Sequence, residues 1–374
     1  MAPSENGVSL LSAKSKSADN SPLIFGFPLK YVSLLVLAIQ NATLTIVMHY
    51  SRVSSVATYS AASAVLLNEI FKGSISFSVA VYGRRGRPSD RLKEVWREVF
   101  SQDCWKLSIP AILYVIQNNL QYTAISNLSA ATFQVTYQMK ILTTAFFSVV
   151  MLHKPLSRTK WLSLLLLAVG VGVVQVQTGS GKSMRSHGMS PLKGFGAVLA
   201  ACMTSGLAGV YFEMVLKNTK TDLWVRNVQL SLFSLVPSLV PIIFADPADT
   251  VYASLYERLF HDFGPWAWAT VGIQVFGGLI TAVVIKYSDN IMKGFATSLA
   301  IVISFVSSVI LFGFPITPAF LAGSGTVLWA TWIYNQPEVS RQESLPNIPL
   351  FNGPHHDAKE KKWTPEGSPM YHKP

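Results

Sequence analysis

Ten stretches of mostly apolar residues follow one another along this chain. They lie at roughly 30–50, 56–82, 106–126, 130–152, 161–178, 192–216, 225–244, 266–286, 292–313 and 317–335. A helix of about 20 such residues crosses a bilayer. In lipid every backbone polar group must be satisfied within the structure, so apolar segments of this length span as helices. The expected fold is therefore all-α and integral to a membrane, with ten transmembrane helices between residues 30 and 335. Only Asn127-Leu128-Ser129 separates the third and fourth, which predicts a tight helical hairpin. Residues 1–29 are polar, rich in Ser and Lys, and lack a cleavable-signal pattern, so the first apolar stretch reads as the insertion signal. Both this segment and the Pro-, His- and Lys-rich residues 336–374 are expected to be disordered tails.

Charge gives the orientation. Only 13% of residues are charged, against about 25% in a soluble domain. The net charge of +11 does not indicate nucleic acid, because the basic residues are spread over the loops and form no basic-aromatic patch. Numbering the loops alternately, one set carries fifteen Lys and Arg, from Arg84 in the first to Lys293 in the last. The other set carries five: Arg52, Lys182, Arg185, Lys193 and Arg258. Positive loops stay in the cytosol, so both termini are expected there, and the regular alternation supports ten spans.

A repeat runs at a shift of 160 residues. Ser148-Val149-Val150-Met151-Leu152-His153-Lys154-Pro155-Leu156-Ser157 aligns with Ser308-Val309-Ile310-Leu311-Phe312-Gly313-Phe314-Pro315-Ile316-Thr317. Five helices separate the two segments. An odd number inverts one half relative to the other, so two inverted five-helix repeats are expected, an arrangement that places a ligand site near the membrane midplane.

Polar residues inside apolar spans carry the chemistry. An ionisable group at membrane depth costs about 2.5–3.5 kcal/mol on insertion scales and so faces an interior or a wet cavity. Lys140 lies near the middle of the fourth stretch with no acidic residue within a turn. An anionic ligand such as a phosphate would neutralise it; a salt bridge to Glu69 or Glu213 on another helix is the alternative. Phe133, Tyr137 and Lys140 follow at i, i+4 and i+7 and share a face, which sets an aromatic surface beside a cation. In the third stretch Tyr114, Asn118 and Gln121 share a face, suited either to base and ribose edges or to interhelical amide bonds. Glu69 with Lys72, and Glu213 with Lys217, are spaced for structural pairs. Lys286, at the end of the eighth stretch, reads equally as an interfacial lysine or as a second cation over a pyrophosphate. Small residues from Ala200 to Gly209 suit close helix packing. Cys104 and Cys202 sit in no CxxC pair, and the chain has no Walker loop, HExxH motif or luminal acidic pair. Neither a cofactor nor a metal is expected.

Several motifs resemble one family. Val115-Ile116-Gln117-Asn118-Asn119, the run Ala130 to Ile141, Gly206 to Glu213, Trp224-Val225-Arg226-Asn227 and Lys286 to Phe295 are similar to the Golgi nucleotide-sugar transporters of the UDP-galactose, UDP-N-acetylglucosamine and CMP-sialic acid group. The resemblance runs from the first span to the tenth. It implies a drug/metabolite transporter fold, no enzymatic activity, and exchange of a cytosolic nucleotide sugar for a luminal nucleoside monophosphate. It implies phosphate contacts for Lys140 and Lys286 and a nucleoside environment of Tyr114, Asn118 and Asn227. With Tyr137, Phe133 and Gln134 these form the candidate substrate-binding set. Phe133 and Ser231 stand where CMP-sialic acid carriers have tyrosine, which favours a UDP-sugar, with UMP as counter-substrate. The expected setting is the Golgi membrane, since Tyr371-His372-Lys373-Pro374 carries no endoplasmic reticulum retrieval signal. A homodimer is compatible with the sequence.

Overall fold

The computed structural model of the protein describes residues 23–24, 27–54, 59–180, 190–217, 221–244, 254–287 and 290–336. A helix lies at each of the ten apolar stretches. In chain order the helices are α1 (Leu29–His49), α2 (Ala61–Tyr82), α3 (Pro88–Val99), α4 (Ser108–Asn127), α5 (Ala130–Thr136), α6 (Lys140–Leu152) and α7 (Arg158–Ser180). They continue with α8 (Pro191–Lys217), α9 (Leu223–Ile243), α10 (Leu255–Phe260), α11 (Pro265–Tyr287), α12 (Asn290–Phe312) and α13 (Pro318–Tyr334). Among the described residues, six helical segments are long and apolar enough to cross a membrane: Tyr31–Val53, Ala61–Tyr82, Ala130–Leu152, Arg158–Val176, Pro191–Val215 and Leu223–Ile243. The outer faces of the helices are apolar too: Leu165, Val236 and Ile310 are 62%, 69% and 75% exposed. A soluble monomer does not expose apolar surface on this scale; this is a multi-pass integral membrane protein.

Leu23–Ile24 and Phe27–Pro28 pair as two very short antiparallel strands just before α1, within the segment expected to be a tail. Most of that tail and all of residues 337–374 lie outside the described residues.

The predicted hairpin forms. Leu128 is fully buried, and Ser129 caps α5 by accepting from the Thr132 N–H at 3.2 Å, the usual work of a hydroxyl N-cap.

Three expectations need correction. The fourth stretch is not one continuous helix, because a 3₁₀ turn, Tyr137–Met139, separates α5 from α6 directly before Lys140. The basic segment after α2 is not all loop: it folds as α3, with Pro88 at its first position. Its Val95 and Val99 are buried in one cluster with Ala80 and Val225, packed by Phe77 and Trp224. Arg226, counted among loop cations, instead lies in the first turn of α9 at 1% exposure. Of the expected pairs, Lys72 binds Glu69 at 2.7 Å. Glu213, though, reaches Lys154, two residues past the end of α6, at 2.7 Å, and the Lys217 side chain lies outside the described residues.

Packing follows a simple scheme. α8 lies against α4 and α6, while α1 lies against α11 and α12. α2 packs on α9, and α7 on α13. At Gly170 of α7 and Gly323 of α13 the backbones meet, since a Cβ on either would stand 2.9 Å from the other's carbonyl oxygen.

The two segments aligned at a shift of 160 close their helices alike. The Lys154 N–H reaches the Ser148 carbonyl at 3.4 Å, and the Phe314 N–H reaches the Ser308 carbonyl at 3.2 Å. Each closure passes through a left-handed residue, His153 at φ 51° and Gly313 at φ 61°. Glycine adopts that conformation without a Cβ penalty. His153 is exposed, so His153→Gly removes strain and loses no buried contact. It is expected to raise stability by about 1 kcal/mol, read as a higher melting temperature in detergent.

Candidate substrate-binding cavity

The 3₁₀ turn at Tyr137–Met139 presents Tyr137, Gln138 and Lys140 to a cavity of about 80 Å³. α5 adds Phe133 and Gln134, α4 adds Gln121, and α12 adds Thr297. α1 supplies a whole face: Asn41, Leu44, Thr45 and Met48, at i, i+3, i+4 and i+7.

The break in the helix has visible causes. The Tyr137 hydroxyl accepts from Gln117 Nε2 at 2.9 Å and from Gln121 Nε2 at 2.8 Å. Its carbonyl accepts from Cys202 Sγ of α8 at 3.6 Å. Thr143 Oγ1 donates to the Cys202 carbonyl at 2.6 Å. Side chains of α4 and α8 thus hold the turn from both sides, and short 3₁₀ pieces inside a helix mark functional hinges.

The expected aromatic-cation face is present. Phe133 and Tyr137 stack with centroids 5.5 Å apart and planes 16° from parallel. Lys140 Nζ lies 4.9 Å from the Tyr137 ring centroid. The two carboxylates weighed as partners for Lys140 are engaged elsewhere, Glu69 by Lys72 and Glu213 by Lys154.

Amides line the rest. Thr45 Oγ1 donates to Gln134 Oε1 at 2.9 Å, tying α1 to α5. Gln138 Nε2 donates to the Gln134 carbonyl at 3.2 Å. Gln138 Oε1 is buried without a hydrogen-bond partner among the described residues. Buried polar atoms are normally paired, so this oxygen suits a ligand hydroxyl or N–H donor.

Lys140, Tyr137, Phe133 and Gln134 therefore come together as expected. Tyr114 and Asn118 lie half-buried on α4 and Asn227 half-buried on α9; none of them lines the cavity. The Lys286 side chain lies outside the described residues. Sequence reasoning missed Asn41, Thr45, Gln138 and Thr297. The α1 residues could have been found from two polar side chains at i and i+4 in an apolar run. Thr297 stands 160 residues after Tyr137, the shift of the repeat.

Beyond the cavity, the end of α1 is closed. His49 Nδ1 lies 3.0 Å from the Ile125 carbonyl, and its ring meets Phe312 edge-on at 5.0 Å. Arg52 Nε donates to Ser126 Oγ at 3.1 Å, and Arg52 Nη1 donates to the Tyr59 carbonyl. Ser51 Oγ sits 3.1 Å from the Tyr59 hydroxyl.

The family model of the nucleotide-sugar transporters matches residues 26–335. The chain belongs to the nucleotide-sugar transporter family. Among this transporter's relatives is a UDP-galactose transporter of Schizosaccharomyces pombe, 46% identical over 321 residues, covering 84% of this chain and 89% of that protein. The UDP-galactose translocator of Mus musculus is 47% identical over 311 residues, covering 83% and 79%. A UDP-N-acetylglucosamine transporter of Homo sapiens is 42% identical over 316 residues, covering 82% and 95%. The family is one of carriers, not enzymes.

Proposed function

We propose that this carrier exchanges UDP-galactose for UMP across the Golgi membrane by alternating access, with the cavity at Lys140 as its site. The observation that carries the reading is Lys140 itself, a cation in the wall of a cavity inside the apolar bundle, next to a stacked aromatic pair. A charge-assisted contact from an ammonium suits a pyrophosphate. The Phe133–Tyr137 pair suits the flat nucleobase, and the amides of Gln121, Gln134 and Gln138 suit ribose and sugar hydroxyls. Lys286, Tyr114, Asn118 and Asn227 complete the proposed set once the helices move. Movement is required, because about 80 Å³ is far below the 300–1,000 Å³ of sites for ligands of this size.

Ten spans in two inverted halves fit the packing. Taking α1 to α7 as the first half and α8 to α13 as the second, each major contact has an image. α8 on α4 and α6 mirrors α1 on α11 and α12, while α2 with α9 and α7 with α13 pair across the proposed axis. The matched closures at His153 and Gly313 support the same relation. The loop charges favour cytosolic termini, which makes the closed end of α1 the luminal gate and this conformation a cytosol-facing one.

The UDP-galactose carriers among the relatives are 46–47% identical and the UDP-N-acetylglucosamine carrier 42%, so UDP-galactose is the first choice and UDP-N-acetylglucosamine the second. Counterflow tests both. Proteoliposomes preloaded with UMP are expected to take up labelled UDP-galactose many-fold faster than empty ones, ahead of UDP-N-acetylglucosamine and CMP-sialic acid. If preloading accelerates none of them, exchange is not the mechanism.

A further inference from the structure

Helix α3 has one apolar face on the protein and a second one left outside. Val95 and Val99 are buried. Leu92, Trp96 and Phe100, spaced four residues apart and so on one line, are 47%, 58% and 53% exposed. Trp96 is held in place, edge-on to Phe77 at 6.2 Å and tilted against Phe100 at 5.0 Å. Lys93 and Arg97, each one residue further on, line the rim of this stripe, and Arg85 and Arg87 precede the helix; all four are exposed. Two of the helix's three carboxylates share one guanidinium. Arg84 binds Glu94 at 3.4 Å and Glu98 at 2.5 Å, which leaves Asp90, exposed, as the carboxylate of α3 outside these bridges. A helix with exposed Trp and Leu on one side and cations along the edge lies in the plane of an anionic membrane surface.

α3 is also clamped to the carrier. Gln229 Nε2 of α9 donates to the Glu98 carbonyl at 3.0 Å and to the Val99 carbonyl at 2.9 Å. These are terminal carbonyls, which the helix itself cannot satisfy. Gln229 Oε1 in turn accepts from Arg226 Nη1 at 2.9 Å, and both side chains are buried at 0% and 1% exposure. The start of α9, which carries Asn227, therefore moves with α3.

We propose that α3 binds the anionic phospholipid headgroups of the cytosolic leaflet, and that this binding sets the position of α9 and so the rate of transport. The proposal rests on the cytosolic placement of α3 argued above. The test compares vesicles of phosphatidylcholine alone with vesicles containing phosphatidylserine as well. Wild type is expected to exchange UDP-galactose several-fold faster with phosphatidylserine, and to retain that lipid through purification, read by mass spectrometry. Lys93→Gln/Arg97→Gln should keep the phosphatidylcholine rate but lose both the stimulation and the retained lipid. Asp90→Asn should increase both. Equal stimulation of wild type and the double variant, or the same stimulation by inorganic phosphate in neutral vesicles, would overturn the proposal. Lipid retention is read without substrate. A chain that retains phosphatidylserine through Lys93 and Arg97 yet exchanges no UDP-sugar would sink the transport reading and leave the lipid contact standing.

Discussion

Lys140→Ala is expected to lower UDP-galactose exchange on the order of a hundredfold or more, while the protein stays folded. Removing one partner of a buried charge pair costs about 2–5 kcal/mol of binding, and each 1.4 kcal/mol is about tenfold. The Lys140 ammonium sits 4.9 Å from the Tyr137 ring, a contact worth about 0.5–2 kcal/mol. Uptake into UMP-loaded proteoliposomes reads the first effect, and monodispersity with melting temperature reads the second. Lys140→Arg keeps the charge and should recover part of the rate. Full exchange by the alanine variant would remove Lys140 from the phosphate role.

Gly206→Leu is expected to break the bundle at a tight backbone contact near the cavity. A Cβ at Gly206 would stand 2.7 Å from Thr143 Oγ1, 2.8 Å from the Thr143 carbonyl carbon and 2.9 Å from the Thr144 nitrogen. Two of these are backbone atoms of α6, so α8 would have to retreat. That movement parts the 2.6 Å bond from Thr143 to the Cys202 carbonyl and with it the support of the Tyr137 turn. Overpacking costs about 1–3 kcal/mol, and more where backbone must move. Gly209, one turn on, has nothing within 4 Å of its Cβ position. Gly209→Leu should therefore melt close to wild type, whereas Gly206→Leu melts several degrees lower and loses transport. Equal melting of the two variants would refute this account of the packing.

The helices were legible because lipid admits few alternatives: an apolar run of sufficient length is a helix, and turn residues such as Ser129 mark where it starts. Lys140 was legible because a charge in that setting needs a reason. The break beside it was not. No proline or glycine lies between Ala130 and Leu152, and the 3₁₀ turn is imposed by Gln117, Gln121 and Cys202, which are distant or on other helices. Arg226 was misplaced for a related reason. It lies at a span boundary, where sequence predicts solvent, and it is buried where the start of α9 packs among its neighbouring helices. α3 itself had a readable signal, Val95 and Val99 beside Leu92 and Trp96, obscured by the density of charge around them. Tyr114, Asn118 and Asn227 were assigned by resemblance, and their distance from the cavity in this conformation is a property of the packing.

The contact of Gly170 with Gly323 has a kinematic consequence. Two backbones touching at 2.9 Å from each virtual Cβ leave no side-chain layer between α7 and α13 at that level, and Val174 and Val327 pack directly against the two glycines. Such a pair can neither close further nor slide without collision, so it behaves as a strut of two helices with one axis. Whatever rocking opens the cavity must then be taken up by the arms around it, α1 with α11 and α12 on one side and α8 with α4 and α6 on the other, turning about a post that holds its length.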